Sequence, residues 1–280
     1  NRVVRTAYDH YSIWTASDAQ GTPNEGYPKS WFYFATAGFI DRKVAFSNIA
    51  YISFRYGNSA YIQIKRPHLY RPVYRVKYAN EDITEWDRLP YPVLSLALNE
   101  EEELVLKFDF IFTKNIERVE FAFGYPYGYE KCRDDLEQID DNESDKDLFF
   151  GQYELTKSYE GRVIDLLLVT SHEGREGFEP VKDQPFSEQK IARFRNNKPV
   201  VFISARVHPI ETPSSFCLLG LLKFLLDKKD MRAFLLRRYF VFALVPMLNP
   251  DGVARGHCRM DALNQNLNRY YDSPDPVRQP

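Results

Sequence analysis

Val200-Val-Phe-Ile-Ser-Ala-Arg-Val-His-Pro-Ile-Glu-Thr-Pro-Ser-Ser-Phe216 is the stretch on which the fold turns. The apolar β-formers from Val200 to Val207 predict a buried strand. Thr212 has the chemistry of an N-cap and Pro213 suits the first helical position. The helix then runs on through Leu218, Leu219, Leu221, Leu222 and Leu225. Between strand and helix sit His208 and Glu211, three positions apart. An imidazole and a carboxylate at the exit of a strand are a plausible pair of zinc ligands. A catalytic zinc takes three protein ligands and leaves a fourth position for water, whose pKa it lowers to about 7. Alone, His-x-x-Glu is a weak signal that chance supplies often. No other histidine of the chain has a Glu three positions on, and His-Glu-x-x-His is absent, which excludes the common helical zinc-protease arrangement.

Working outward, the 280 residues are enough for one large or two ordinary domains with a real core. The 44% hydrophobic and 27% charged shares are those of a water-soluble globular chain. Lys and Arg total 37 against 39 for Asp and Glu, a net charge of −2 that argues against a nucleic-acid partner held by bulk charge. No apolar run approaches a membrane span. Cys132, Cys217 and Cys258 are an odd set without C-x-x-C spacing, so free buried thiols in a reducing compartment are expected. The chain begins at Asn1 rather than Met, so the natural N-terminus is expected to lie further upstream.

The front of the chain is a series of short β-like runs: 30–36, 43–51, 61–64, 93–98, 104–112 and 118–124, separated by turn residues. Strand after strand without helices predicts an antiparallel β-sandwich over residues 1–140. Within it Arg66, His68, Arg71, Arg75 and Lys77 alternate with tyrosines. They form either a basic face for an acidic partner or a solvated strand edge. A helix is predicted from about Glu130 to Asp140, followed by an acidic linker. From 150 to 280 the pattern changes: strands at 162–170, 200–207 and 240–245 alternate with helices from Pro213 and near 231–238, while 172–195, broken by Gly and Pro, reads as loop. That is an α/β domain with a mixed sheet covered on both faces, whose sites form beyond the carboxyl ends of its strands.

A second constellation follows the strand ending at Val245: Leu248-Asn-Pro-Asp-Gly252, then Arg255-Gly-His-Cys-Arg259, then Asn266-Leu-Asn-Arg269. In this order, behind His208-x-x-Glu211, these motifs resemble the zinc carboxypeptidases. Arg206-Val-His-Pro-Ile-Glu-Thr-Pro-Ser-Ser-Phe216 and Pro246-Met-Leu-Asn-Pro-Asp-Gly-Val253 are most similar to the cytosolic carboxypeptidase subfamily, and the 255–259 and 266–269 strings to its members that remove branch-point glutamates. Ser30-Trp-Phe-Tyr-Phe34 and Tyr125-Pro-Tyr127 extend the resemblance to that subfamily's N-terminal β-domain.

The resemblance implies His208 and Glu211 as ligands of one zinc ion, Arg259 as the group that stabilises the oxyanion, and Asn268 with Arg269 as the grip on the substrate's terminal carboxylate. A guanidinium fork suits that last task. His257 is not a ligand in the family. The implied substrates are glutamylated protein C-termini or side-chain branches, tubulin among them. The implied location is the cytoplasm, with the nucleus and microtubules as further sites; neither nucleic acid nor membrane is an implied partner. Ile210 stands where the subfamily usually has Gly. The family's third ligand, a His, its substrate-facing Tyr and its general-base Glu are expected past Pro280, so the chain is expected to be part of a longer protein or to be completed by a separate segment. Two other functions fit less of the pattern: a non-catalytic module that holds acidic tails, and a small-molecule deacylase on the same scaffold.

Overall fold

Phenylalanines hold the front of the chain together. The computed structural model describes residues 2–25, 30–50, 71–90, 95–98, 104–139, 147–180, 190–194, 198–275 and 277–278. They form two units, Asn1–Pro126 with Gly256–Arg259, and Tyr127–Arg255 with Met260–Pro280.

In the first unit the strands are β1 (Arg2–Ala7), β2 (His10–Trp14), β3 (Tyr33–Ala37), β4 (Arg42–Ala50), β5 (Val73–Tyr78), β6 (Asp87–Arg88), β7 (Ser95–Leu98), β8 (Leu104–Phe112) and β9 (Ile116–Ala122). They make two sheets, ordered β1-β2-β4-β8-β7 and β3-β9-β5-β6. β8 alternates as its sequence requires, with Leu106, Phe108 and Phe112 buried and Lys107 exposed. Phe46 and Phe108 of the first sheet meet Phe121 of the second, at ring-centroid distances of 5.3 to 5.5 Å. The two sheets thus share one aromatic core, the β-sandwich predicted from the strand series. Its strand pairs are antiparallel except β2 with β4, which run parallel because the chain visits β3 of the other sheet between them.

The expected strand at 61–64 lies outside the described residues, as do Arg66 and His68. The described part of that basic run is tied into its own sheet. Arg75 Nε donates to buried Glu120 at 2.7 Å, and its guanidinium lies 4.8 Å from the centre of the Trp86 ring. Lys77 Nζ bonds the Glu81 carbonyl.

The second unit contains α1 (Tyr129–Glu137), β10 (Phe149–Lys157), β11 (Val163–Thr170), β12 (Arg175–Pro180), β13 (Lys190–Phe194), β14 (Val200–Ser204), α2 (Thr212–Leu226), α3 (Met231–Tyr239), β15 (Val241–Val245) and α4 (Pro250–Ala254). Its main sheet is mixed, ordered β10-β11-β15-β14, with β14 and β15 parallel and the other pairs antiparallel. On one face Leu167, Val169, Phe242 and Leu244 pack with Cys132 and Leu136 of α1 and with Leu222 and Leu225 of α2. On the other, Leu168, Val241 and Ala243 pack with Phe149, Tyr153 and Ala192 of β13. Arg237, 1% exposed, closes the α2–α3 connection by donating to the carbonyls of Leu225 at 2.7 Å and Asp227 at 3.1 Å.

Several expectations are corrected. The strand at 200 is not buried: Val200 and Phe202 are 65% and 63% exposed, because β14 ends the sheet order and β15, buried at all five positions, takes the inner place. Regular pairing stops at Ser204, not Val207. The stretch 172–195 is not all loop, for β12 and β13 pair antiparallel. Gly177 there sits at a register shift and Pro180 at the strand's end, both sites that tolerate breakers. Helices do not cover both faces of the sheet among the described residues; the second face is met by β13 instead. Cys217 is exposed, against the expectation of three buried thiols. The acidic linker lies outside the described residues at 140–146, while Arg133 before it bonds Asp165 at 2.7 Å.

Two outcomes follow. Leu244→Ala, at a site with no exposure, should cost about 2–5 kcal/mol in urea denaturation, and Phe202→Ser at the exposed edge less than about 1 kcal/mol. Burial pushes the Cys258 thiol up to about 12 and that of Cys132 up to about 11. Iodoacetamide at pH 8 should therefore alkylate Cys217 alone in the native protein, read as a single adduct by mass spectrometry.

Candidate functional site

Past Ser204 the chain is still zipped to its neighbour. Ala205 N–H donates to Val245 O at 3.0 Å; Leu248 N–H donates back to Ala205 O at 2.9 Å and Asn249 N–H to Arg206 O at 3.1 Å. These bonds align the two sequence constellations side by side. Arg206 then turns the chain in the left-handed region, at φ +59°. A tight turn follows, with Glu211 N–H donating to His208 O at 3.1 Å. Ile210 does not enter the left-handed region, so the turn does not require the Gly usual there. Glu211, not Thr212, is the N-cap of α2, and its side chain makes no cap bond, because the carboxylate is engaged with His208 instead.

That engagement is the chemical core of the site. His208 is 5% exposed. Its Nδ1 lies 2.8 Å from Glu211 Oε1 and its Nε2 lies 3.0 Å from Asn266 Oδ1. Asn266 Oδ1 also accepts from Asn268 N–H at 3.2 Å, which identifies the atom facing the ring as the oxygen and not the amide nitrogen. Both ring nitrogens thus face acceptors, yet a neutral imidazole carries one proton. With that proton on Nε2, toward Asn266, the Nδ1 lone pair points at a carboxylate oxygen. In the other tautomer Nδ1–H donates to the carboxylate at 2.8 Å; in either case the ring nitrogen and the carboxylate oxygen stand together as a pair of donors that a cation would take in place of that proton. The donor set, imidazole nitrogen and carboxylate oxygen, fits zinc. Among the described residues no group of three His, Cys, Asp or Glu converges; the pair would by itself offer two of the three protein ligands that a catalytic zinc takes.

The acceptor on the far side of the ring is itself built. Asp261 Oδ1 accepts from Leu263 and Gln265 N–H at 2.9 and 2.7 Å, closing a loop in which Asn264 adopts φ +58°. That loop delivers Asn266, whose side chain caps the short 3₁₀ turn Leu267–Arg269. Asn268 and Arg269 are exposed on this turn. Arg269 Nη1 bonds the Asn268 carbonyl at 3.0 Å, and the guanidinium makes no ion pair among the described residues.

Leu248-Asn-Pro-Asp-Gly252 is a framework rather than a reacting group. Asn249 Oδ1 accepts from Gly252 N–H at 2.9 Å and its Nδ2 donates to Val207 O and Met260 O, both at 3.3 Å. Asp251, 3% exposed, accepts from Ser158 Oγ at 2.6 Å, Glu160 N–H at 3.0 Å and Arg162 Nη1 at 2.8 Å. At Gly252 a Cβ would stand 2.5 Å from Met260 O and 2.7 Å from both Asn249 Oδ1 and the Pro209 ring, so only glycine fits. Arg259 belongs to the segment 256–259 of the first unit. Buried Asp18 holds that segment, accepting from Cys258 N–H at 2.6 Å and Arg259 N–H at 2.8 Å. His257 Nε2 accepts from Ala19 N–H at 3.0 Å.

Residues 136–275 match the family model described as zinc carboxypeptidase. Mouse cytosolic carboxypeptidase-like protein 5 is 37% identical over 284 aligned residues, 96% of this chain and 31% of the relative. The chain belongs to the zinc carboxypeptidase family. Human cytosolic carboxypeptidase 6 is 32% identical over 88% of the chain and 43% of its own length. Among solved structures, a putative carboxypeptidase from Burkholderia mallei superposes with a TM-score of 0.69 at 22% identity, over 99% of this chain and 59% of that one. A metallo-carboxypeptidase from Pseudomonas aeruginosa gives 0.67 at 22%, over 100% and 60%. These confirm a carboxypeptidase-like fold. The chain spans about a third of the length of the curated cytosolic carboxypeptidase-like relatives.

Sequence reasoning singled out His208, Glu211, Asn268 and Arg269; the structure joins them through Asn266, which it missed as a separate participant. The signal was there in the repeated Asn-x-Asn of Asn266-Leu-Asn268, since a side-chain amide two residues before another backbone N–H readily caps it. Gly252→Ala should destabilise the protein by about 1–3 kcal/mol through overpacking, seen as a lower melting temperature, while the exposed Gly220 of α2, whose Cβ would meet nothing, tolerates Ala.

Proposed function

We propose that the protein is a zinc-dependent carboxypeptidase that removes glutamates from the C-termini or side-chain branches of glutamylated proteins, tubulin among them, in the cytoplasm. The observation that carries the zinc reading is the His208 Nδ1–Glu211 Oε1 pair, with the opposite ring nitrogen satisfied by Asn266. Family membership supports hydrolysis at a chain's end. The likeness of Arg255-Gly-His-x-Arg259 and Asn266-Leu-Asn-Arg269 to deglutamylating members supports glutamate as the residue released.

In this reading His208 and Glu211 hold the metal. When bound, zinc supplies Lewis acidity and lowers the pKa of a water molecule to about 7. The chain's own residues do the rest of what can be assigned. Asn266 keeps the His208 proton on Nε2, leaving Nδ1 free to ligate. Arg269, whose guanidinium has no carboxylate partner among the described residues, is the fork for the substrate's terminal carboxylate, with Asn268 beside it on the same turn. Restriction to a free C-terminus is a consequence of that grip. Arg259 stabilises negative charge on the carbonyl oxygen during attack, a donor role typically worth about 3–4 kcal/mol. Its support is its place in the ordered motif series.

The test is glutamate release from a peptide ending in oligoglutamate, followed with glutamate dehydrogenase. Chelation should stop release and zinc restore it. An amidated peptide should not be cut. Arg269→Ala should lower kcat/KM about 100-fold, equivalent to about 3 kcal/mol for a lost charged hydrogen bond. Release that survives both chelation and Arg269→Ala rejects the assignment, and binding of the peptide without release favours the non-catalytic acidic-tail module.

A further inference from the structure

We infer that Arg206 is a positioning residue of the metal centre, its buried guanidinium setting the His208–Glu211 turn in ligating shape. The inference rests on the metal reading of that pair and adds to it a residue that lies outside the ligand set.

Arg206 is 3% exposed, and among the described residues no carboxylate forms an ion pair with it. Its hydrogen bonds go to neutral acceptors drawn from three places. Nη2 donates to Pro209 O at 2.6 Å; Nη1 donates to Tyr127 O at 2.8 Å and to Ser215 Oγ at 3.1 Å. Pro209 lies between the two ligand residues, and Ser215 is in the first turn of α2. The fork therefore grips the turn at its middle and at the helix that follows. The backbone of Arg206 joins in: its N–H donates to Ser214 Oγ at 3.3 Å, its carbonyl accepts from Asn249, and its φ of +59° is one that a non-glycine residue adopts only when its surroundings impose it.

A role in packing alone does not account for this. An apolar side chain of similar volume fills a buried site without the cost of desolvating a charge. Lysine would carry the charge but not the planar fork that reaches Pro209, Tyr127 and Ser215 together. Bonding to the carbonyl between two ligands constrains both, as the partners of metal ligands do.

The experiment is titration with cobalt(II) of the full-length protein that contains this chain, read by the visible d–d absorption and by competition with a chromophoric chelator. Wild type should bind one ion and Glu211→Gln should lose it, which locates the metal. Arg206→Lys should weaken binding about 10-fold and Arg206→Met by up to about 100-fold, each with a changed d–d spectrum and an unchanged far-UV circular dichroism spectrum. If Arg206→Met fails to fold, Arg206→Lys decides. A folded Arg206→Lys with wild-type affinity and spectrum overturns the inference while leaving the metal reading intact. A full-length wild-type protein that binds no cobalt, or a Glu211→Gln variant that binds it equally, overturns the metal reading and this inference with it.

Discussion

The imidazole of His208 has an acceptor at each nitrogen and, when neutral, a single proton to share between them. Most of what surrounds the site exists to keep both acceptors where they are. Glu211 is held by the tight turn that follows the strand. Asn266 is held by the Asp261 loop and by its own cap on the Leu267–Arg269 turn. Because the Asn266 oxygen is committed to Asn268 N–H as well, the amide cannot flip without losing that bond. The Nε2 side of the ring thus always has an acceptor, so a cation that displaced the proton from Nδ1 would leave the proton a place at Nε2. That is the arrangement the proposed metal site would use.

The same oxygen links His208 to the turn that follows Asn266. Asn266 touches the ring on one side and caps the turn bearing Asn268 and Arg269 on the other. The spacing between His208 and the turn bearing Asn268 and Arg269 is therefore set by short, directional bonds. Buried charge does similar work elsewhere in the same unit. Asp251 satisfies its oxygens with Ser158, the Glu160 amide and Arg162, and so anchors the segment that follows β15. Arg237 spends its fork on carbonyls at the α2–α3 connection. Such groups cost desolvation and return geometry, a fair exchange where a site must hold its shape to fractions of an ångström.

Much of this was legible in the order of residues. The sandwich followed from strand runs without helices, and its core from the inward phase of Leu106 and Phe108. The α/β unit followed from strands alternating with leucine-rich helices. His208 and Glu211 stood out by spacing, and the later Asn268–Arg269 pair by the resemblance of the ordered motifs to the zinc carboxypeptidases. The β12–β13 pair did not, because Gly177 and Pro180 count as breakers in a linear reading and become harmless at a register shift and a strand's end. The burial of the strand at 200 was misjudged for a related reason. Apolar composition reports what a strand can bury, not whether a neighbour stands beside it, and among the described residues β14 pairs with β15 alone.

What the sequence by itself determined is the local grammar: which segments extend, which coil, and which side chains have the chemistry to bind a metal or a carboxylate. These are properties of neighbours in the chain, fixed by periodicity and turn residues. Only the tertiary structure decided that Asn266 should meet His208, 58 positions away, that Asp18 should hold the backbone of Arg259, and that Gly252 has no room for a methyl group. Hydrogen bonds are short and directional, so whether two distant polar atoms satisfy one another depends on the packing of whole elements, which no local pattern encodes.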